Sequence, residues 1–314
     1  MLKYGLVALS SGKQFFSRVF MIKFLSLLLA FCFINAPVLA AKKSDYYNLF
    51  KKYNACFILY DLNNNKIVSE YNPNSRCSER IAPDSTFKIP LSLMAFNQGT
   101  INQQTVFKWN GTKEDLADWN QDQTPASWLK YSVVWVSQQI TQQMGYAQIK
   151  HYLAGFDYGN QDFSGDPGRK NGLAYAWLSS SLKISALEQL NFLKAMLSNE
   201  LPLTPEAIHI TRKNMYLGKL ENGADYYGKT GSGRHGRNER QKNPSRLRDG
   251  WFVGFVENGK QRYIFVSNLT DKEPVIAEGS NPNAPLLPYG SALLKPITMK
   301  ILNDYFSKSG NNNS

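Results

Sequence analysis

The sequence predicts an α+β fold: one antiparallel sheet built from both chain ends, flanked by helices, with a mainly helical lobe inserted between its strands. Three observations carry this expectation. Strand-like segments stand early, at 54–61 and 66–71. Apolar positions at helical spacing fill the middle, and strand signals vanish for about 150 residues. Strand signals then return between 226 and 269.

The elements follow in chain order. Lys23 gives a basic start, an apolar run of about 10 residues spans 24–33, and Val38-Leu39-Ala40 is a small-residue exit. That is the layout of a secretory signal peptide. The run is shorter than the roughly 20 residues of a membrane span, so no membrane anchor is expected after cleavage; an uncleaved anchor is the alternative. Bulky Phe31 before Cys32 speaks against a lipoprotein. The expected division is a signal peptide at 1–40, with Met21 as an alternative start, and a single catalytic domain at 41–314.

Residues 54–61 read as a strand, Asn63-Asn64-Asn65 as a turn and 66–71 as the second strand of a hairpin. Helical spacing marks 85–98, 132–144, 146–154, 185–198 and 205–217, separated by loops rich in Gly, Asn and Asp, notably 155–172. Residues 226–230 read as a strand, and 251–257 pairs with 262–269 across the turn dipeptide Asn258-Gly259. An amphipathic segment at 290–306 closes the chain.

Composition narrows the function classes. Of 314 residues 43% are hydrophobic, enough for a sizeable core, and the 13% aromatic share argues against disorder. The net charge is +12; four cations and no acids lie in 1–40, which leaves +8 for 41–314. Much of it sits in 233–249, where Arg234, Arg237, Arg240, Lys242, Arg246 and Arg248 face only Glu239 and Asp249. No aromatic residue interleaves these charges to stack on bases, so nucleic acid is not an expected partner. The segment reads as a solvated loop, or as a positive mouth for anionic ligands. Cys56 and Cys77 remain after signal removal; export permits a disulfide, and a buried free thiol at Cys56 is the alternative. His151, His209 and His235 lie apart without cysteine or acid at ligand spacing, so a metal-free site is expected.

Chemistry concentrates at Ser85 and Lys88. Pro83 and Asp84 signal a helix start, which sets Ser85 near free backbone N–H groups that favour an oxyanion. Lys88 at i+3 faces the same side as the Ser85 hydroxyl. A hydroxyl is a poor nucleophile until a base takes its proton, and a lysine in apolar surroundings, here near Phe87, Ile89 and Leu91, loses enough basicity to act as that base. Pro90 lies too early to end the helix but distorts its first turns. Alone, Ser-x-x-Lys also fits an ordinary surface lysine. About 140 residues later comes Lys229-Thr230-Gly231 on a strand end, with Gly228 before it and Ser232-Gly233 after. Glycines let a substrate lie against a strand, and Lys and Thr supply donors for a carboxylate.

This pairing resembles the penicillin-recognising serine enzymes. Between the two motifs the chain carries Ser132-Val133-Val134 where class A enzymes carry Ser-Asp-Asn, then Tyr158-Gly159-Asn160, Trp177-Leu178 and Gly250-Trp251-Phe252-Val253-Gly254. That ordered set is similar to the class D serine β-lactamases, the oxacillinase type, over about residues 50–306. The resemblance implies a serine β-lactamase/penicillin-binding transpeptidase-like fold and hydrolysis of the β-lactam amide through a serine acyl-enzyme, giving antibiotic resistance from the periplasm. It implies Ser85 as nucleophile, and Lys88 as general base after reaction with carbon dioxide to a carbamate, N6-carboxylysine. No other cofactor is implied. Trp177 matches the tryptophan whose indole N–H holds the carbamate, and Leu178 and Val134 the apolar residues that flank it. Ser132 matches the proton relay to the leaving nitrogen, with Lys229 supporting it, and Ser232 supplies a backbone N–H to the oxyanion hole. Thr230 and Gly231 belong to the substrate strand, and Tyr158-Gly159-Asn160 is architectural. The family's carboxylate-binding arginine is absent; Lys295 is the best-aligned residue, and a plain surface lysine is its other reading. A penicillin-binding peptidase, or a β-lactam sensor domain that acylates without turnover, is the alternative function. The partners implied are β-lactams; nothing in the sequence sets the oligomeric state.

Overall fold

Six strands form one antiparallel sheet in the order β2-β1-β6-β5-β4-β3. They are β1 (Tyr53–Asp61), β2 (Lys66–Tyr71), β3 (Tyr216–Lys219), β4 (Asp225–Arg234), β5 (Arg248–Asn258) and β6 (Gln261–Asp271). The computed structural model describes residues 45–235, 247–274 and 288–310, with residues 308–310 by backbone alone. The expected signal peptide and most of the basic segment, residues 236–246, lie outside them. The chain divides into units 1–49 and 50–314; of the first, only 45–49 are described, and they are helical. All that follows concerns the second.

Strands from both chain ends meet at the centre, as the sequence implies: β1 pairs with β6 from Tyr53 opposite Asp271 to Asp61 opposite Tyr263. The middle of the chain supplies α1 (Lys88–Asn97), α2 (Pro125–Tyr131), α3 (Val134–Met144), α4 (Tyr146–Gly155), α5 (Gly172–Tyr175), α6 (Ala186–Leu197) and α7 (Pro205–Asn214); α8 (Gly290–Gly310) closes it. The two-residue period of the strands sorts the buried side chains. Ile58, Val266 and Val253 share a register row and join the main core with the helical lobe. The next row, Phe57, Ser267 and Phe252, faces the other way. On that side Tyr263 packs edge-on against Phe306 of α8, with ring centroids 5.0 Å apart. The sheet is thus sandwiched, which explains strands of nearly unbroken hydrophobicity in the centre.

Local readings need correction at six points. The segment from Asp84 to Phe87 is a tight 3-10 turn, and the α-helix starts only at Lys88. Pro90 is the third residue of α1, where a missing N–H is harmless. The helix expected over 132–144 starts at Val134, because Ser132 caps a separate helix, α2, in a left-handed conformation with φ 64°. Thr124 and Ser127 close a capping box on α2, with Pro125 at its first position; serine in the place of the usual Glu or Gln hid that start. The helix expected over 205–217 stops at Asn214, and Tyr216–Lys219 instead pairs with β4, Tyr216 stacking edge-on against Tyr227. Cross-strand pairing outweighs local helical spacing there. Strand β4 runs on to Arg234 because residues 230–234 pair with 252–248 of β5, so Lys229-Thr230-Gly231 is mid-strand rather than at a strand end. Finally, Asn258 is still paired, with Gln261, so the hairpin turn is Gly259-Lys260, and only Gly259 needs positive φ.

Cys56 of β1 and Cys77 are joined by a disulfide, which resolves the choice left open by the sequence. No helix among the described residues is long and apolar enough to cross a membrane.

Candidate active site

Ser85 is the second residue of the Asp84–Phe87 turn, and Lys88 opens α1 directly behind it. Lys88 Nζ stands 3.2 Å from Ser85 Oγ, within hydrogen-bonding reach. Ser85 is half-buried, whereas Lys88 is completely buried. Burial pushes the Lys88 ammonium well below the usual lysine range, the nearby Lys229 charge pushes it further, and Asp84 opposes both. Phe87, Ile89 and Leu91 are themselves fully buried, as the apolar setting of this turn requires.

Neighbouring elements fix the turn from three sides. Asp84 N donates to Trp177 O at 2.9 Å. Thr86 Oγ1 donates to Pro83 O at 2.7 Å and accepts from Gln189 Nε2 of α6 at 3.0 Å. Trp251 Nε1 of β5 donates to Ala82 O at 2.8 Å. Gly231 explains how β4 comes so close: a Cβ there would sit 2.8 Å from Pro83 O and 3.2 Å from Thr86 N. Only glycine lets the strand lie on the nucleophile turn.

The strand period then divides β4 between two faces. Lys229 and Gly231 lie in register with Val253 and Trp251 on the side of the nucleophile turn. Thr230 and Ser232 lie in register with Phe252 and Gly250 on the side of α8. Ser232 Oγ donates to Ser291 Oγ of α8 at 2.7 Å. Lys229 is buried, and its pKa is lowered to about 7, first by burial and then by the charge of Lys295. Lys295 is half-buried, with Nζ 5.7 Å from the centre of the Phe252 ring. Thr230, Ser291 and Lys295 line one cavity of about 420 Å³. The structure thus brings Lys295 to the substrate strand, where the sequence left its role open.

Trp177 is fully buried and stacks on Phe87, with centroids 5.3 Å apart, and on Phe163 at 5.9 Å. Its Nε1–H has no partner among the described residues. A buried indole N–H without an acceptor is costly, so the position suits an acceptor group added to the site. Leu178 and Val134 are half-buried, and Leu178 packs against the main core. Ser132 is half-buried at the α2–α3 corner, where its left-handed backbone turns the chain. Tyr158-Gly159-Asn160 has structural partners. Tyr158 is fully buried against Phe87 and Phe192, and Asn160 Oδ1 accepts from Lys183 N at 2.9 Å. A Cβ at Gly159 would meet Lys183 O at 2.1 Å.

Sequence reasoning passed over four contributors. Asp84 was read only as a helix-start signal, Trp251 as part of a motif without a role, and Gln189 and Ser291 not at all. Each acts through contacts between elements distant in sequence, which no local pattern encodes.

Comparisons agree with this geometry. Residues 55–297 match the penicillin binding protein transpeptidase domain family. Beta-lactamase OXA-1 of Escherichia coli is 48% identical over 223 residues, 71% of this chain and 78% of that protein. The crystal structure of OXA-427 class D beta-lactamase superposes with a TM-score of 0.69 at 32% identity, covering 81% of this chain and 99% of that one. The C-terminal domain of the Bacillus licheniformis BlaR penicillin-receptor does so with a TM-score of 0.68 at 30% identity, covering 83% and 94%.

Proposed function

The chain belongs to the class D serine β-lactamases, and from that premise we propose that it hydrolyses penicillin-type β-lactams with a carbamylated Lys88 as general base. The observation that carries the finer reading is the fully buried Lys88 amine 3.2 Å from Ser85 Oγ, beside Phe87, whose ring stacks on Trp177, an indole with no N–H partner among the described residues. Only a neutral amine adds carbon dioxide, and burial pushes Lys88 towards the neutral form. Carbon dioxide bound to that amine supplies an anionic oxygen base, and Trp177 Nε1 would hold it.

The tasks then divide among the residues. The Lys88 side chain takes the Ser85 proton, and Ser85 Oγ attacks the β-lactam carbonyl. The backbone N–H groups of Ser85 and Ser232 receive the oxyanion. Ser132 passes a proton to the departing nitrogen, and Lys229 supports the transfer electrostatically. Thr230 and Lys295 hold the substrate carboxylate, which the charge of Lys229 also attracts, a point-charge arrangement that lacks the planar fork of arginine. The Lys88 side chain then takes a proton from the water that releases Ser85, while Leu178 and Val134 limit the water that reaches it. Acting in the periplasm after signal cleavage, the reaction removes the antibiotic and confers resistance.

The BlaR-type receptor domain shares the fold, so turnover decides between enzyme and sensor. Purified protein should hydrolyse a chromogenic cephalosporin over many cycles, and more slowly when bicarbonate is stripped. A single stoichiometric burst without turnover would place the chain with the sensors and peptidases.

A further inference from the structure

The carboxyl of Asp84 is 1% exposed and lies beside the nucleophile, yet the steps above assign it nothing. It sits where three elements meet. Its Oδ1 accepts from Ser179 N at 3.0 Å and from Ser179 Oγ at 3.1 Å. Ser179 Oγ in turn accepts from Arg234 N, the last residue of β4, at 2.9 Å. Its own N–H reaches Trp177 O. The backbone at Asp84 is left-handed, with φ 46°, which an aspartate tolerates better than most residues. Opposite it stands Gly233, where a Cβ would lie 2.4 Å from both carboxyl oxygens. The glycine thus makes room for this side chain.

We propose that Asp84 is a positioning residue: its side chain clasps the turn that carries Ser85 to the loop that carries Trp177 and to the end of β4, acting as a hydrogen-bonding group and not as a charge. Two observations argue against use as an anion. Oδ2 is buried without a partner among the described residues, which costs a carboxylate oxygen more than a protonated one. The groups around it also oppose ionisation. Burial raises its pKa well above the usual range, and Asp249 of β5 raises it further; only the Ser179 hydrogen bonds and Lys88 oppose this. Asp249 is itself engaged by Thr270 and by His235 Nδ1 at 3.2 Å. The consequence reaches the base. An ionised Asp84 would draw Lys88 back towards the unreactive ammonium, whereas a neutral Asp84 leaves the amine free. This rests on Lys88 acting as the base, with or without carbon dioxide.

The test compares D84N, D84A and wild type in kcat against pH, with carbon-13 NMR of protein in labelled bicarbonate as a second readout. Asn keeps the acceptor for Ser179 and cannot ionise. D84N should retain at least about a tenth of wild-type kcat, hold its alkaline limb about one pH unit higher, and keep any labelled Lys88 signal to higher pH. D84A, which loses the clasp, should fall roughly 10²-fold. Equal losses in D84N and D84A overturn the proposal, as does an alkaline limb that D84N leaves unmoved. Wild type without turnover defeats the β-lactamase reading instead, and turnover without any labelled signal defeats only the carbamate.

Discussion

At the scale of single residues the site holds two buried lysines kept short of charge, Lys88 and Lys229. The charge of Lys229 bears on Lys88, and that of Lys295 bears on Lys229. Removing the side chain of Lys88 should separate acylation from release. K88A should lose on the order of 10²- to 10⁴-fold in kcat. Intact-mass measurement should show an acyl-enzyme persisting on Ser85; unchanged kcat would rule Lys88 out as base. Lys229 makes a different prediction, because its pKa of about 7 falls in the working range. Below that pH it is an ammonium and attracts a substrate carboxylate; above it, the attraction is lost. KM for a carboxylate-bearing penicillin should therefore rise as pH passes through about 7. Lys295 is one cause of the lowering, so K295M should weaken binding overall and move the midpoint of that rise upwards. A midpoint unaffected by K295M in a KM–pH titration would show that the two lysines are not coupled.

At the scale of elements, function depends on how closely β4 lies on the Asp84–Phe87 turn. G231A adds one methyl group 2.8 Å from Pro83 O, too close for a backbone atom to accept. The turn and strand must part, and a misplacement near 1 Å at a reacting centre costs roughly 10²-fold in rate. The sheet itself has nine other β4–β5 register pairs besides Gly231–Trp251, so the loss should appear in kcat/KM while the thermal midpoint moves little. A variant that unfolds instead, by circular dichroism, would mean that the contact is structural. This element also shows what the sequence could reveal. Ser85, Lys88 and Lys229-Thr230-Gly231 were legible because two short motifs carry them in the sequence itself, although the helix starts later and the strand runs further than periodicity alone implies. Strands β1, β2, β5 and β6 were legible because their hydrophobic runs have one reading. Strand β3 was not, since its four residues become a strand only by pairing with β4. Nor were the left-handed backbones of Asp84 and Ser132, which tertiary contacts impose on residues whose local preference lies elsewhere.

At the scale of the whole molecule, the site draws on residues from 84 to 295, and the sheet that gathers them is closed by pairing β1 with β6. Anything that anchors β1 therefore protects the site from a distance. The Cys56–Cys77 disulfide is such an anchor. It links residues 21 apart, and both are fully buried, so the bond ties β1 to the 3-10 segment that carries Arg76. Arg76 Nη2 donates to Thr270 Oγ1 of β6 at 2.7 Å, and Thr270 Oγ1 donates to Asp249 of β5 at 2.5 Å. A polar thread therefore runs from the disulfide segment across two strands. In the chain-entropy account, closing a loop of this length contributes about 3 kcal/mol. In a domain of this size each kcal/mol moves the thermal midpoint by roughly 2–4 °C. The double variant C56A/C77A should accordingly melt about 10 °C lower. Neither cysteine has a part in the proposed reaction, so kcat at 25 °C should stay within about twofold of wild type. Calorimetry and initial rates on the same preparation check both. A variant that keeps its melting point would show that the sheet needs no clasp there. One that loses kcat while still folded would show that Arg76 and its thread reach the catalytic turn through Asp249.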